Sequence, residues 1–93
     1  MYFIYRTHAI ERIFEREISD NDVEKCVING IVIEKYIDDK PYPSFLVLGY
    51  ENNDLKKPLH VVYAKNDENI IIITAYRPDK DKWVDDYKKR IEK

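Results

Sequence analysis

The amino-acid sequence predicts an α+β domain in which two N-terminal helices and a C-terminal helix pack on a four-stranded, mainly antiparallel sheet. Three observations lead there. Apolar residues recur at helical spacing before Gly30 and again after Pro78, while four short runs rich in β-branched and aromatic residues lie between them. The 93 residues, 44% of them hydrophobic, suffice for one core and not for two, so a single domain over 1–93 is expected.

Residues Tyr2 to Tyr5 form a short terminal strand signal of only four residues. Thr7 reads as a helix N-cap, and Ile10, Ile13 and Phe14 supply an apolar stripe, giving a first helix from about His8 to Glu17. Ser19 reads as a second cap; Val23, Cys26 and Val27 form the inner stripe of a second helix that Gly30 stops. The runs IVIEKYI, SFLVLGYE, LHVVYAK and NIIIITAY are separated by short polar turns, as in an antiparallel meander. The last two runs are apolar on both faces, which places them centrally with cover on each side. After Pro78, Trp83, Val84, Tyr87 and Ile91 fall on one helical stripe and predict the closing helix.

Charge and composition narrow the function. A net charge of −2 gives no general attraction for polyphosphate, so any RNA contact must be local. Apolar runs such as Ile70 to Ile73 fall far short of the roughly 20 residues of a membrane span. The N-terminus carries charges where a signal peptide needs apolar residues, and the expectation is a cytoplasmic protein with no membrane partner. The lone Cys26 forms no internal disulfide and lies on a buried stripe, a poor place for a nucleophile. Two histidines far apart and scattered carboxylates offer no metal-ligand spacing, so neither metal nor cofactor is expected.

At 100° per residue, His8, Arg12 and Arg16 share an arc of about 80° on the first helix. An ordinary polar helix face, neutralised by Glu11, Glu15 and Glu17, explains that pattern unless something faces it. On the sheet, His60 alternates with Leu59 and Val61 inside an apolar run, where an ionisable ring needs a partner or a role. Thr74 and Tyr76 share a face with Ile70 and Ile72 by strict alternation and bring polar groups to that strand's end. Two histidines for proton transfer and two arginines for a phosphate would suffice for metal-independent RNA cleavage by 2′-hydroxyl transesterification.

In order along the chain stand His8-Ala9, Arg12, Arg16, Ile18-Ser19, Pro43-Ser44, Pro58-Leu59-His60-Val61-Val62, Thr74-Ala75-Tyr76-Arg77-Pro78 and Trp83. This ordered set, from about His8 to Arg90, resembles the domain-of-unknown-function family 4258. Glu17 departs from the family's usual glycine after the second arginine. The resemblance implies a toxin-like protein, in some members beside a helix-turn-helix antitoxin, with an element order similar to RelE-type and barnase-like ribonucleases. It carries over His8, Arg12, Arg16, His60, Thr74 and Tyr76 as the site, with acid and base unassigned between the histidines; Trp83 matches as well, and its large apolar ring reads as a core anchor for the last helix.

The leading expectation is therefore an endoribonuclease toxin acting on RNA, including ribosome-bound messenger, and held by an antitoxin. The alternative is a non-catalytic module that binds a protein segment or a phosphate-bearing ligand in the same cleft. A third is a small oligomer whose exposed apolar surface is an interface.

Overall fold

The computed structural model describes residues 2–91, so Met1, Glu92 and Lys93 of the expected domain lie outside the described residues. Strand β1 (Tyr2–Tyr5) is followed by helices α1 (Thr7–Glu15) and α2 (Asp20–Asn29). Strands β2 (Ile31–Tyr36), β3 (Ser44–Tyr50), β4 (Pro58–Asn66) and β5 (Asn69–Tyr76) come next, with a single 3₁₀ turn at Glu51–Asn53. A small hairpin of β6 (Trp83–Val84) and β7 (Lys89–Arg90) completes the order.

Residue chemistry explains most element ends. Ser19 caps α2 as its type predicts, its Oγ accepting a hydrogen bond from the Asp22 amide at 3.1 Å. Thr7 does not cap α1; it is the first helical residue, and extended Arg6 precedes it without a side-chain cap. Gly30 ends α2 at a close crossing, where a Cβ would sit 2.4 Å from the carbonyl oxygen of Cys26 and 2.5 Å from that of Leu48. Between the helices Glu17 takes φ 54°, a left-handed conformation that an L side chain adopts at a cost.

The predicted fold is overturned in two places. First, the sheet has five strands in the order β1-β5-β4-β3-β2 and is mixed, because β1 runs parallel to β5. Tyr2 lies opposite Asn69 and Tyr5 opposite Ile72. The four later strands do form the antiparallel meander. Doubly apolar β5 has a second edge, and the four residues of β1 complete its backbone hydrogen bonding there.

Second, among the described residues there is no C-terminal helix over the predicted stretch. Asp85, Asp86 and Tyr87 take φ values of 54°, 54° and 69°, which no right-handed helix accommodates. The Asp79 carboxylate accepts the Asp81 amide at 2.9 Å, an aspartate-driven turn that competes with helix formation. Trp83 is a buried anchor, but of the hairpin rather than of a helix.

α1 packs on β5, and α2 packs across β3 and β4. Ala9, Ile13, Ile18, Val23 and Cys26 meet Val47, Leu59, Val61, Ile70, Ile72 and Ala75 in the principal core. The buried stripe of α1 is rotated from the predicted one. It follows Ala9 and Ile13, leaving Ile10 and Phe14 exposed. On the same wheel Arg16 lies within about 20° of Ala9, so Arg16 turns toward the sheet and His8 turns toward solvent.

A bulge decides the other face. Tyr63 pairs with Ile72 but Val62 pairs with Thr74, so Ile73 is an extra residue. Strict alternation put Thr74 and Tyr76 with Ile70 and Ile72; the bulge instead turns them to the opposite face, beside Val62 and His60. The C-terminal hairpin covers that face, with Trp83 packed against His60 at a ring-centroid distance of 4.4 Å. Among the described residues no helix is long and apolar enough to cross a membrane.

Candidate functional site

His60 is fully buried on the central strand β4. Its Nε2 lies 2.8 Å from the Tyr87 carbonyl oxygen, which can only accept, so the ring proton sits on Nε2. Nδ1 is then the acceptor for the Tyr76 hydroxyl at 3.2 Å. Burial lowers the His60 pKa and outweighs the opposing pull of the Tyr87 carbonyl, while nearby Arg90 lowers it further and Glu34 raises it. The ring is a neutral acceptor at pH 7. Burial likewise raises the Tyr76 pKa and keeps its phenol protonated, against the opposing influence of Arg90.

Beside this pair opens a cleft of about 500 Å³, lined by Arg16, Tyr76, Arg77, Lys82, Trp83 and Arg90 together with Val62 and Asp79. Each cation arrives by a separate route. Arg16, just past the end of α1, donates from Nη1 to the Ala75 carbonyl at 2.7 Å. Arg77, just beyond β5, clasps Glu51 through Nε at 2.8 Å and Nη2 at 2.9 Å, and donates to the carbonyls of Arg16 and Glu17. That clasp ties the end of α1 to the 3₁₀ turn.

Arg90, on β7, donates from Nε to Glu34 at 2.9 Å and stacks over the Trp83 ring at 4.7 Å, which pins the hairpin to β2. Lys82 precedes Trp83 in the hairpin. Among the described residues neither Arg16 nor Lys82 forms an ion pair with a carboxylate. Asp79 lines the same cleft and brings one negative charge to it, its carboxylate accepting the Asp81 amide. Four cations thus line the cleft against Asp79, two of them held by Glu51 and Glu34, with a phenol at its wall and a neutral imidazole behind the phenol.

Of the six residues read from the sequence, this arrangement gathers Arg16 and Tyr76 at the cleft and His60 beneath it. Thr74 is half-buried next to them, opposite Val62. Arg12 stays outside, paired with Glu15 at 3.3 Å. His8 is apart altogether: its side chain is 86% exposed, 3.8 Å from Glu11, and about 12 Å from Arg16 along the helix axis. Two histidines therefore do not flank one phosphate here.

Sequence reasoning missed Arg77, Lys82, Arg90 and the backbone of Tyr87. Arg77 stood in the quoted motif without a role, and the hairpin residues were read on a helix that does not form. Cys26 is buried as expected; burial, with Asp22 adding to it, pushes its thiol up to about 12, far from a reactive thiolate. Among the described residues no group of three or more His, Cys, Asp or Glu is placed to hold a metal ion.

Comparison with known proteins returns one family, described as a domain of unknown function (DUF4258), whose model matches residues 5–77. The match runs from the last residue of β1 through the first residue after β5. It stops short of the hairpin, so Trp83, Lys82 and Arg90 lie outside it, and the resemblance extends less far than the motif reading took it. No curated protein and no solved structure matches the chain, and the RelE-type or barnase-like grouping gains no support from comparison. With most of its length covered, from Tyr5 to Arg77, the chain belongs to the DUF4258 family.

Proposed function

We propose that the protein binds single-stranded RNA by its phosphate backbone, in the cleft beside Tyr76. One observation carries this reading. A chain of net charge −2 places four cations around a single cleft; Glu51 and Glu34 pair with two, and Arg16 and Lys82, in no ion pair among the described residues, outnumber the lining Asp79. Clustering like charges on a weakly acidic chain is unfavourable by itself and becomes favourable with an anion between them. The Ala75 carbonyl fixes the Arg16 fork in advance, which lowers the ordering cost of gripping phosphate oxygens.

Metal-independent cleavage is a second reading, favoured by the bond from Tyr76 to neutral His60. In it the ribose 2′-oxygen attacks phosphorus and the bond from phosphorus to the 5′-oxygen breaks. The 2′ proton passes to the Tyr76 oxygen as the phenolic proton passes to His60 Nδ1, and the leaving oxygen takes a proton from water. An antitoxin partner belongs to this second reading alone.

Purified protein in chelator, titrated into labelled single-stranded RNA, tests both. Arg16→Ala and Lys82→Ala should each weaken binding about tenfold, the scale of one charge-assisted contact. Unchanged affinity in both variants would remove RNA from this cleft. Products with 2′,3′-cyclic phosphate ends, lost in Tyr76→Phe, would establish cleavage; bound but intact RNA leaves the binding module.

A further inference from the structure

Arg77 separates the cleft just described from a second one of about 440 Å³, lined by Lys56, Lys57, Arg77, Lys80 and Tyr87 between Pro58 and Pro78. Its lysines come from different places, two from the turn that leads into β4 and one from the segment after Pro78. Among the described residues none of the three pairs with a carboxylate. Glu51 also lines this cleft, but the Arg77 fork already occupies both of its oxygens. Lys56, Lys57 and Lys80 thus add a second unneutralised cluster, continuous with the first through Arg77.

We infer that this second cleft is a subsite for the continuing RNA strand, so that the ligand is an extended single strand whose backbone crosses Arg77 and not a mononucleotide. The inference rests on the reading that the first cleft binds RNA. Each cleft has the volume of one small-ligand pocket, so a ligand that engages both must be a polymer. Lysines suit such a groove, since a compact ammonium on a flexible stem follows a backbone without demanding one geometry. An acidic protein segment would be better matched by arginine forks, and the fork at this cleft is filled by Glu51.

Tyr87 and Pro58, both partly exposed, give this cleft apolar surface against which a base would pack, as in single-strand binding surfaces. Tyr87 also keeps φ at 69°, a costly conformation for a non-glycine residue, while its carbonyl holds His60. The subsite and the buried histidine therefore share one residue.

Fluorescence anisotropy with labelled RNAs of about three and about twelve nucleotides distinguishes the subsite from the first cleft. The Lys56→Ala, Lys57→Ala, Lys80→Ala triple variant changes only exposed side chains. It should weaken the longer RNA by about tenfold or more and make its logarithmic salt dependence shallower by about 2, at roughly 0.7 per phosphate contact. Binding of the short RNA should be unchanged. Arg16→Ala with Lys82→Ala should weaken both. A triple variant that binds the longer RNA like wild type, or weakens both lengths alike, overturns the subsite. Indifference of the short RNA to Arg16→Ala with Lys82→Ala overturns the first cleft instead. Preference of the wild type for polyglutamate over the longer RNA, relieved in the triple variant, would assign the second cleft to an acidic protein segment and also overturn the proposal.

Discussion

The buried His60 makes a stability prediction whose size follows from its surroundings. Its imidazole faces the Tyr76 hydroxyl, the Tyr87 carbonyl and the Trp83 ring, with Arg90 and Glu34 as the nearby charges, and the net effect lowers its folded-state pKa below about 6.5. At pH 8 the ring is neutral whether the chain is folded or unfolded. As pH falls through about 6.5 the unfolded chain binds a proton that the folded chain refuses. Stability is then lost at up to about 1.4 kcal/mol per pH unit until the folded pKa is reached. Against a total of roughly 5–15 kcal/mol for a domain of this kind, that loss is measurable. The assay is urea unfolding at constant ionic strength between pH 8 and pH 5, on wild type and His60→Gln. Glutamine retains an amide donor for the Tyr87 carbonyl but does not titrate. The wild-type advantage over the variant should shrink between pH 7 and pH 5.5, by up to about 1 kcal/mol. Parallel stability curves would refute the neutral, buried imidazole.

Glu17→Gly should stabilise the fold by about 0.5–1 kcal/mol, since the left-handed φ of 54° costs an L residue about 1–2 kcal/mol and glycine returns part of that as unfolded-state entropy; a rise in Tm of several degrees would show it. Gly49→Ala should cost about 1–3 kcal/mol, because the new Cβ would lie 2.6 Å from the Cys26 Sγ, and Cys26→Ala in the same chain should recover part of the loss in a denaturant titration. Arg77→Met leaves the buried Glu51 carboxylate and two carbonyls at the end of α1 without their donor. A loss of about 2 kcal/mol is expected, below the roughly 3–5 kcal/mol for breaking a fully buried pair because the Arg77 side chain is half exposed, and adding Glu51→Gln should return much of it.

Local signals carried the middle of the fold. Ser19 and Gly30 bound α2 because capping and close approach depend on neighbours within a few residues, and the four meander strands were legible from their β-branched runs and polar turns. What escaped depends on distant residues. The parallel partner of β1 lies at the other end of the sequence, and four residues alone do not declare it. The closing helix was misread because Trp83, Val84 and Tyr87 have helical spacing, while left-handed Asp85, Asp86 and Tyr87 leave no trace in apolar periodicity.

The candidate site divides the same way. His60 and Tyr76 were visible as polar residues in apolar strands, but their meeting requires the bulge at Ile73, which strict alternation does not supply. Arg16 was grouped with His8 and Arg12 on one arc; the sheet selects Arg16 by burying Ala9 and Ile13 beside it. His8 drops out because that same rotation points it at solvent.

The parallel pairing of β1 also orders events in time. Tyr2 to Tyr5 are synthesised well before their partners, Asn69 to Ile72, so β1 waits unpaired while β2, β3 and β4 are made. The three antiparallel pairings join strands adjacent along the sequence and close short loops, whereas docking β1 closes the longest one. Its arrival sets the position of α1 and delivers Arg16 to the Ala75 carbonyl. A nascent chain halted before Asn69 would hold a helical hairpin and part of the sheet but no Ala75 carbonyl to hold Arg16. The cleft beside Arg16 is thus one of the last features the molecule acquires, and its geometry marks completed folding rather than collapse.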